Sequence, residues 1–195
     1  STRRCLYFTG AKQIEKINID QCNIENSSID ISNANINEIN INRSKFNNSS
    51  LNAHHIYCKE NIYIGYVEIK NGNINFYNSI IRGTIDLKDI NLLNSDVLLG
   101  NTSIERKLAI KDCQTISTDK ENQILINNSK ISGDIYLNKI NTESRINLSN
   151  TYCGGKVTIK KSKIDNLGLF TQIEIYILVF LAIIIQIVIL YYPKK

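Results

Sequence analysis

The residues best suited to chemistry sit together in the stretch HHIYC: His54 and His55, the sole histidines of the 195-residue chain, and Cys58, one of its five cysteines. Imidazole and thiolate are soft ligands, and a tetrahedral metal site needs three or four of them converging. With both histidines spent here, only a distant cysteine remains to complete such a set. The stretch therefore reads as a loop or corner, and no metal or other cofactor is expected. Covalent catalysis needs a nucleophile, a base and an orienting group within reach of one another. No other histidine exists, and Cys113 and Cys153 fall at places of a repeat that read as inward. No catalytic set assembles, and the chain reads as a non-enzyme. The cysteines (Cys5, Cys22, Cys58, Cys113 and Cys153) are odd in number and lack CxxC spacing, so they indicate neither a zinc ribbon nor a disulfide framework. Isolated thiols of this kind suit a reducing compartment. Gly154 and Gly155 are not set between a strand and a helix as a phosphate-cradling loop would be, and read as corner glycines. Asn-x-Ser/Thr sequons begin at Asn26, Asn42, Asn47, Asn48, Asn101, Asn127 and Asn147, as chance allows in a chain this rich in Asn and Ser.

Charge narrows the partners. The net charge is +5, with 23 basic and 18 acidic residues interspersed along most of the chain. No clustered basic face of the kind phosphate backbones require is apparent, so nucleic acid is not an expected partner. No small-molecule substrate is indicated either. The length suits one folded unit plus an appendage, enough to bury a core without metal or disulfide staples. Composition is lopsided: 37 Ile and 27 Asn against one Pro, no Trp and no Met. Such a bias is read as partly a matter of coding composition, which leaves single asparagines with little to say.

What must position any functional residue is a repeat. From residue 74 the chain divides into INFYNSIIRGT, IDLKDINLLNSD, VLLGNTSIERK, LAIKDCQTISTDKENQ, ILINNSKISGD, IYLNKINTESR, INLSNTYCGGK and VTIKKSKIDNL. Every unit opens apolar-x-apolar. The sixth place is small in most (Ser79, Thr102, Cys113, Ser129, Thr151, Ser162), and the eighth is often Ile or Leu (Ile81, Leu92, Ile104, Ile131, Ile164). One unit carries five extra residues around Ser117 to Glu121, which reads as a protruding loop. Upstream the step is five: Ile14, Ile19, Ile24 and Ile29, then Ile31, Ile36, Ile41, Phe46, Leu51 and Ile56, displaced by two at IDI. Small residues stand two places earlier in several cases (Cys22, Ser27, Ala34, Ser44, Ser49). A step of five matches neither 3.6 nor 2, so neither a long amphipathic helix nor an open sheet accounts for it. It suits a chain that turns a corner every five residues.

Residues 14–56 resemble pentapeptide-repeat proteins, whose unit centres on an apolar residue preceded two places earlier by a small one. The resemblance implies an all-β fold, a right-handed quadrilateral β-helix of about twenty residues per coil, and it supplies no catalytic residues. The match departs from the family in its Ile-rich centres and in its eleven-residue units, two of which make a 22-residue coil. On this reading each eleven-residue phrase is half a coil, with its first, third, sixth and eighth places inward or at a corner. Residues 14–166 then form about seven coils at ~4.8 Å each. Residues 1–13 read as an N-terminal cap. The stretch His54 to Tyr66, where the two steps meet, is expected to be irregular. Some β-helices of this sort are read as mimics of DNA, which demands an acidic surface, and a basic chain does not offer one.

After Gly168 comes a different block. The run IYILVFLAIIIQIVILYY, Ile175 to Tyr192, is long and apolar enough to cross most of a bilayer as a helix. The fold class is thus a β-solenoid followed by a single C-terminal transmembrane helix over 169–192, with 193–195 a short basic tail. Tyr191 and Tyr192 stand where an interfacial belt would. Gln172, Val179, Ala182 and Gln186 form a narrow polar and small stripe along this helix, a candidate face for a homo-oligomer. Residues 1–20 lack a secretory apolar stretch. Lys156, Lys160, Lys161 and Lys163 before the helix outnumber Lys194 and Lys195 after it, which favours a tail-anchored, single-pass protein with a cytoplasmic solenoid. The basic stretch can also touch anionic headgroups of the lipid bilayer. The function expected is a non-catalytic scaffold or protein-interaction subunit of a membrane complex, with partner contacts at Ser117, Asp119, Lys120, His54 and His55, since loops on a rigid scaffold carry recognition. The alternative is a membrane-active effector whose solenoid senses or oligomerises and whose helices cluster to perturb the bilayer.

Overall fold

The computed structural model describes residues 5–116, 123–142, 145–162 and 169–171. The described chain is a right-handed, all-β solenoid of about six turns, and every strand pairing is parallel. Apolar-x-apolar puts two side chains on one side of a strand, because alternate residues of an extended chain share a face. The interior fills accordingly. In residues 74–96 the first, third, sixth and eighth places of the two phrases are Ile74, Phe76, Ser79, Ile81 and Ile85, Leu87, Ile90, Leu92, and none is more than 2% exposed.

Each coil has four faces. The first is a seven-stranded sheet running from Cys5–Tyr7 through Ser28–Asp30, Ser50–Asn52, Asn73–Asn75, Asp96–Leu98 and Gln123–Leu125 to Arg145–Asn147. The second is built of strands as short as two residues, among them Tyr57–Cys58, Ile80–Ile81 and Ser103–Ile104. The third and fourth are the two arms of longer strands, Ile62–Lys70, Ile85–Leu93 and Leu108–Ile116, which bend at Tyr66, Asp89 and Asp112. Stacking sets like on like. Ile39, Ile62, Ile85, Leu108, Ile135 and Val157 form one column, and Ile41, Ile64, Leu87, Ile110, Leu137 and Ile159 the next.

The corners explain the asparagines. Seventeen non-glycine residues among those described have positive φ, and nine are Asn. The left-handed conformation costs an ordinary L-residue about 1–2 kcal/mol, and Asn tolerates it because its short amide bonds locally. The fifth place of each phrase is such a corner, occupied in one half-coil by Asn33, His55, Asn78, Asn101, Asn128 and Asn150. A further corner holds Asn26, Asn48, Asn71 and Asn94, whose amides form a ladder up the column. Asn48 Nδ2 donates to Asn26 Oδ1 at 3.1 Å, Asn71 to Asn48 at 3.0 Å and Asn94 to Asn71 at 3.3 Å. The expectation that single asparagines say little is corrected here. Their spacing follows the turns.

The same phrase also runs through the N-terminal half. Coil-to-coil offsets are 22 or 23 residues from Ile14↔Ile36 through Ile85↔Leu108, without a twenty-residue coil. The displacement at IDI is therefore not an interruption. Ile29 and Ile31 open a phrase, as Leu51 and Ala53 do one coil later, and all four are buried. The stretch His54 to Tyr66 is likewise a regular part of this coil rather than a junction of two registers. About six turns form instead of seven because coils exceed twenty residues and one takes 27, from Val97↔Ile124 to Cys113↔Ile140. That jump contains the insertion at 117–121.

Both ends of the solenoid differ from the expected boundaries. Cys5–Tyr7 pairs with Ser28–Asp30, so the ladder begins within the stretch read as a cap. Leu169–Thr171 pairs with Thr151–Cys153, so these three residues extend a sheet rather than open a helix. Among the described residues no helix is long and apolar enough to cross a membrane. The run 175–192 lies outside them.

Candidate interaction surface

The small sixth-place residues are structural. Ser79 Oγ donates to the Ala53 carbonyl at 3.1 Å, Thr102 Oγ1 to Phe76 at 2.8 Å, Ser129 Oγ to Leu99 at 2.8 Å and Thr151 Oγ1 to Ile126 at 2.7 Å, each reaching into the preceding coil. Buried hydroxyls so satisfied carry no unmet polarity toward a ligand. The inward thiols are equally committed. Burial pushes Cys58 up to about 11 and Cys113 to about 12, and it raises Cys153 too. A nucleophilic cysteine needs the opposite shift.

His54 and His55 stand on the second corner, where His55 holds the left-handed place that asparagine fills in neighbouring coils. Its ring continues the amide ladder. Asn78 Nδ2 lies 3.1 Å from His55 Nε2, and the Nδ1 atoms of the two histidines are 2.8 Å apart, with the rings edge to face at 5.1 Å. An amide nitrogen can only donate, so His55 Nε2 accepts, His55 Nδ1 carries the proton between the rings and His54 Nδ1 receives it. On the adjoining coil, burial works to raise the Asp30 carboxyl. The Ser32 hydroxyl and backbone N–H that it accepts at 2.6 and 3.0 Å, with His54 nearby, outweigh that and hold it below its ordinary range. Cys58 points inward and is fully buried, so the HHIYC residues do not converge. Among the described residues no group of three metal-ligating side chains forms.

Outward positions carry charge in coil-to-coil pairs: Lys16–Glu38, Arg43–Asp20, Lys45–Glu68, Arg82–Glu105, Lys111–Asp86 and Lys139–Asp112. Exposed pairs of this kind contribute about 0–1 kcal/mol each. Tyrosines lie among them. Tyr136 receives Lys107 at 5.5 Å and Lys111 at 6.0 Å over its ring, above the outward but buried Ala109. Arg82 lies over Tyr57 at 5.5 Å, and Lys88 over Tyr66 at 5.4 Å. The hydrogen bond from Lys88 to the Tyr66 hydroxyl raises the Lys88 ammonium. Towards the C-terminal coils the balance changes. Lys107, Lys130, Lys156, Lys160 and Lys161 have no carboxylate partner among the described residues. Sequence reasoning singled out Lys156, Lys160 and Lys161 from their proximity in the chain. It missed Lys107 and Lys130, which only the stacking of coils brings to the same end.

Of the residues expected to meet a partner, His54 and His55 are thus on one accessible corner, whereas Ser117, Asp119 and Lys120 lie outside the described residues. Gln172, Val179, Ala182 and Gln186 do so as well. The structure defines a class: a parallel β-solenoid of the pentapeptide-repeat type, the architecture that the resemblance of residues 14–56 implied. No protein-family profile matches the chain, and no curated protein matches it. Among solved structures the chain is similar to trypsin-treated QnrB1, a plasmid-mediated fluoroquinolone resistance protein, at 13% identity over 93% of this chain and 97% of that one, with a TM-score of 0.17. That score does not correspond to a superposition of the two chains as wholes.

Proposed function

We propose that this chain is a membrane-tethered, non-catalytic binding column, a rigid scaffold that holds a protein partner at a bilayer surface. The carrying observation is that groups able to react are turned inward or consumed by the coil. The thiols of Cys58, Cys113 and Cys153 are buried, the sixth-place hydroxyls bond the preceding coil, and what faces water is a regular polar surface with tyrosine–cation clusters. Tyr and Arg are the side chains that protein interfaces favour. In this reading the apolar run Ile175 to Tyr192 spans the bilayer and the solenoid stands on its cytoplasmic side. The unpaired Lys156, Lys160 and Lys161 of the last described coil then lie close to the anionic headgroups. The corner at His54 and His55 and the insertion carrying Ser117, Asp119 and Lys120 are the contact points for the protein partner.

Two measurements test this. The full chain should remain with membranes after alkaline carbonate extraction, and removal of residues 172–195 should release it into the soluble fraction. Affinity purification from detergent-solubilised membranes should retain a partner that is lost when His54 and His55, or residues 117–121, are replaced by alanine. Extraction of the full chain without detergent overturns the anchoring, and retention of every partner by both alanine blocks overturns the assigned contacts. Overexpression that depolarises cells would instead favour the membrane-active alternative.

A further inference from the structure

The N-terminal end of the column is unfinished. Ile14, Ile17, Ile19 and Ile24 occupy the same columns as Ile36, Ile39, Ile41 and Phe46 one coil further in. The inner four are no more than 2% exposed, whereas the outer four are only half-buried. With Phe8, Ile29 and Ile31, three of the outer four line an apolar recess of about 310 Å³. Tyr7 and Phe8, 69% and 51% exposed, stand on the same coil. The strand Ile14–Asp20 pairs along one edge with Asn35–Asn42, and among the described residues no strand lies along its other edge. A free strand edge beside an open apolar core invites another chain, and a solenoid end needs closing.

We propose that a second copy of this chain closes it, end to end, through antiparallel pairing of Lys16-Ile17-Asn18-Ile19-Asp20 with itself. The argument is in the order of those residues. Pairing about a two-fold axis at Asn18 sets Ile17 against Ile19 of the second copy and Asn18 against its own equivalent. Lys16 then faces Asp20 of the second copy, and Asp20 its Lys16. Inward residues meet inward residues, and outward charges meet opposite charges. The existing pairs extend the match, since Lys16 holds Glu38 at 3.1 Å and Asp20 holds Arg43 at 2.8 Å within one chain. Across the junction the line reads Glu38, Lys16, then Asp20 and Arg43 of the second copy, alternating in sign throughout. A two-fold contact of this kind is self-complementary and closed, so it yields a dimer and not a filament. In a four-sided coil the axis also passes through the opposite face, where Cys5–Tyr7 meets its own copy. Both apolar recesses become one dry core.

The test uses the full chain in detergent, with Cys5 and Cys22 replaced by serine. Asn18→Cys should crosslink to a dimer with a short bismaleimide, because directly opposed residues of an antiparallel pair have Cβ atoms about 4.5–5.5 Å apart. Thr158→Cys, near the other end of the same face, should not. Lys16→Glu and Asp20→Lys should each weaken the dimer about tenfold, by setting like charges opposite each other twice per interface. The double variant should restore it, although it disrupts the intrachain pairs with Glu38 and Arg43 as much as the singles do. Circular dichroism checks that each variant keeps its β-structure. Repeating the series with Gln186→Leu separates this contact from any association of the apolar C-terminal run. A wild-type monomer, an uncrosslinked Asn18→Cys, or a double variant no better than the singles would each overturn the proposal. A dimer abolished by Gln186→Leu but indifferent to the charge reversals would do the same.

Discussion

At the scale of the residue, the decisive positions are the left-handed corners and the buried thiols. Asn71 has a φ of 51° and both donates to Asn48 and accepts from Asn94. Replacing it by a β-branched residue forfeits those bonds and forces a branched side chain into a region it avoids. Asn71→Val should therefore destabilise the chain by about 2 kcal/mol, whereas Asn71→Gly, free of the conformational penalty, should cost about 1 kcal/mol or less. The shift in urea midpoint at constant slope measures both. The thiols give a pH dependence of definite sign. Burial lifts Cys58 to about 11 and Cys113 to about 12, above the 9.0 ordinary for a thiol. Their contribution is fully present below about pH 9 and is lost as the pH rises through the folded values, because the unfolded chain releases protons that the folded chain retains. Stability should thus fall between pH 9 and 11, and less steeply in a Cys58→Ala, Cys113→Val double variant. Maleimide labelling should follow the same logic: the exposed Cys22 reacts in the folded chain, and Cys113 only after unfolding.

At the scale of the element, the unit of construction is the coil, and the step between coils is 22 or 23 residues over most of the column. Leu108 stands above Ile85 with 23 residues between equivalents. Deleting residues 85–107 removes one whole coil and brings Leu108 into the column of Ile85. Deleting the twenty residues 85–104 instead brings Glu105 there, a charge into a dry core. The first deletion should retain a β-type circular dichroism spectrum and cooperative urea unfolding, and the second should lose both. Tight corners are equally specific. A Cβ on Gly133 would lie 1.8 Å from the Arg106 carbonyl oxygen of the coil below, so Gly133→Val should cost several kcal/mol, at the upper end of single substitutions, read as a lowered urea midpoint.

The five-residue step in the N-terminal half shows how much of this was legible. Positions one and six, and positions three and eight, are five apart in every phrase, and here the phrases happen to be ten or twelve residues long. Counting by fives therefore passes from one inward column to another without leaving the core. Ile31, Ile36, Ile41, Phe46, Leu51 and Ile56 are all buried for that reason, though they belong to more than one ladder. Residue type and spacing were sufficient to say which side chains go inside. They could not say which stack on which, because that depends on the number of residues at each corner.

At the scale of the whole molecule, stability is a sum over neighbouring coils, and a coil with a neighbour on one side only is the weaker. Amide exchange should accordingly be slowest across Ile62–Lys70 and Ile85–Leu93 and markedly faster across Ile14–Asp20, whose isoleucines are half-buried. Self-association through that end should slow the latter in proportion to protein concentration, whereas a monomeric column would show no such dependence. The sequence by itself determined the solenoid, the inward columns from residue 74 onward, and the apolar run after Gly168. These are one-dimensional patterns, set by alternation along a strand and by the length of a hydrophobic stretch. Only the tertiary structure decided that asparagines mark the corners, that His55 takes an asparagine's place, that Lys107 and Lys130 join the C-terminal basic end, and that the first coil is left open. Each of these depends on residues 22 to 27 positions apart being set one above the other, a relation that exists only once the chain has turned four corners.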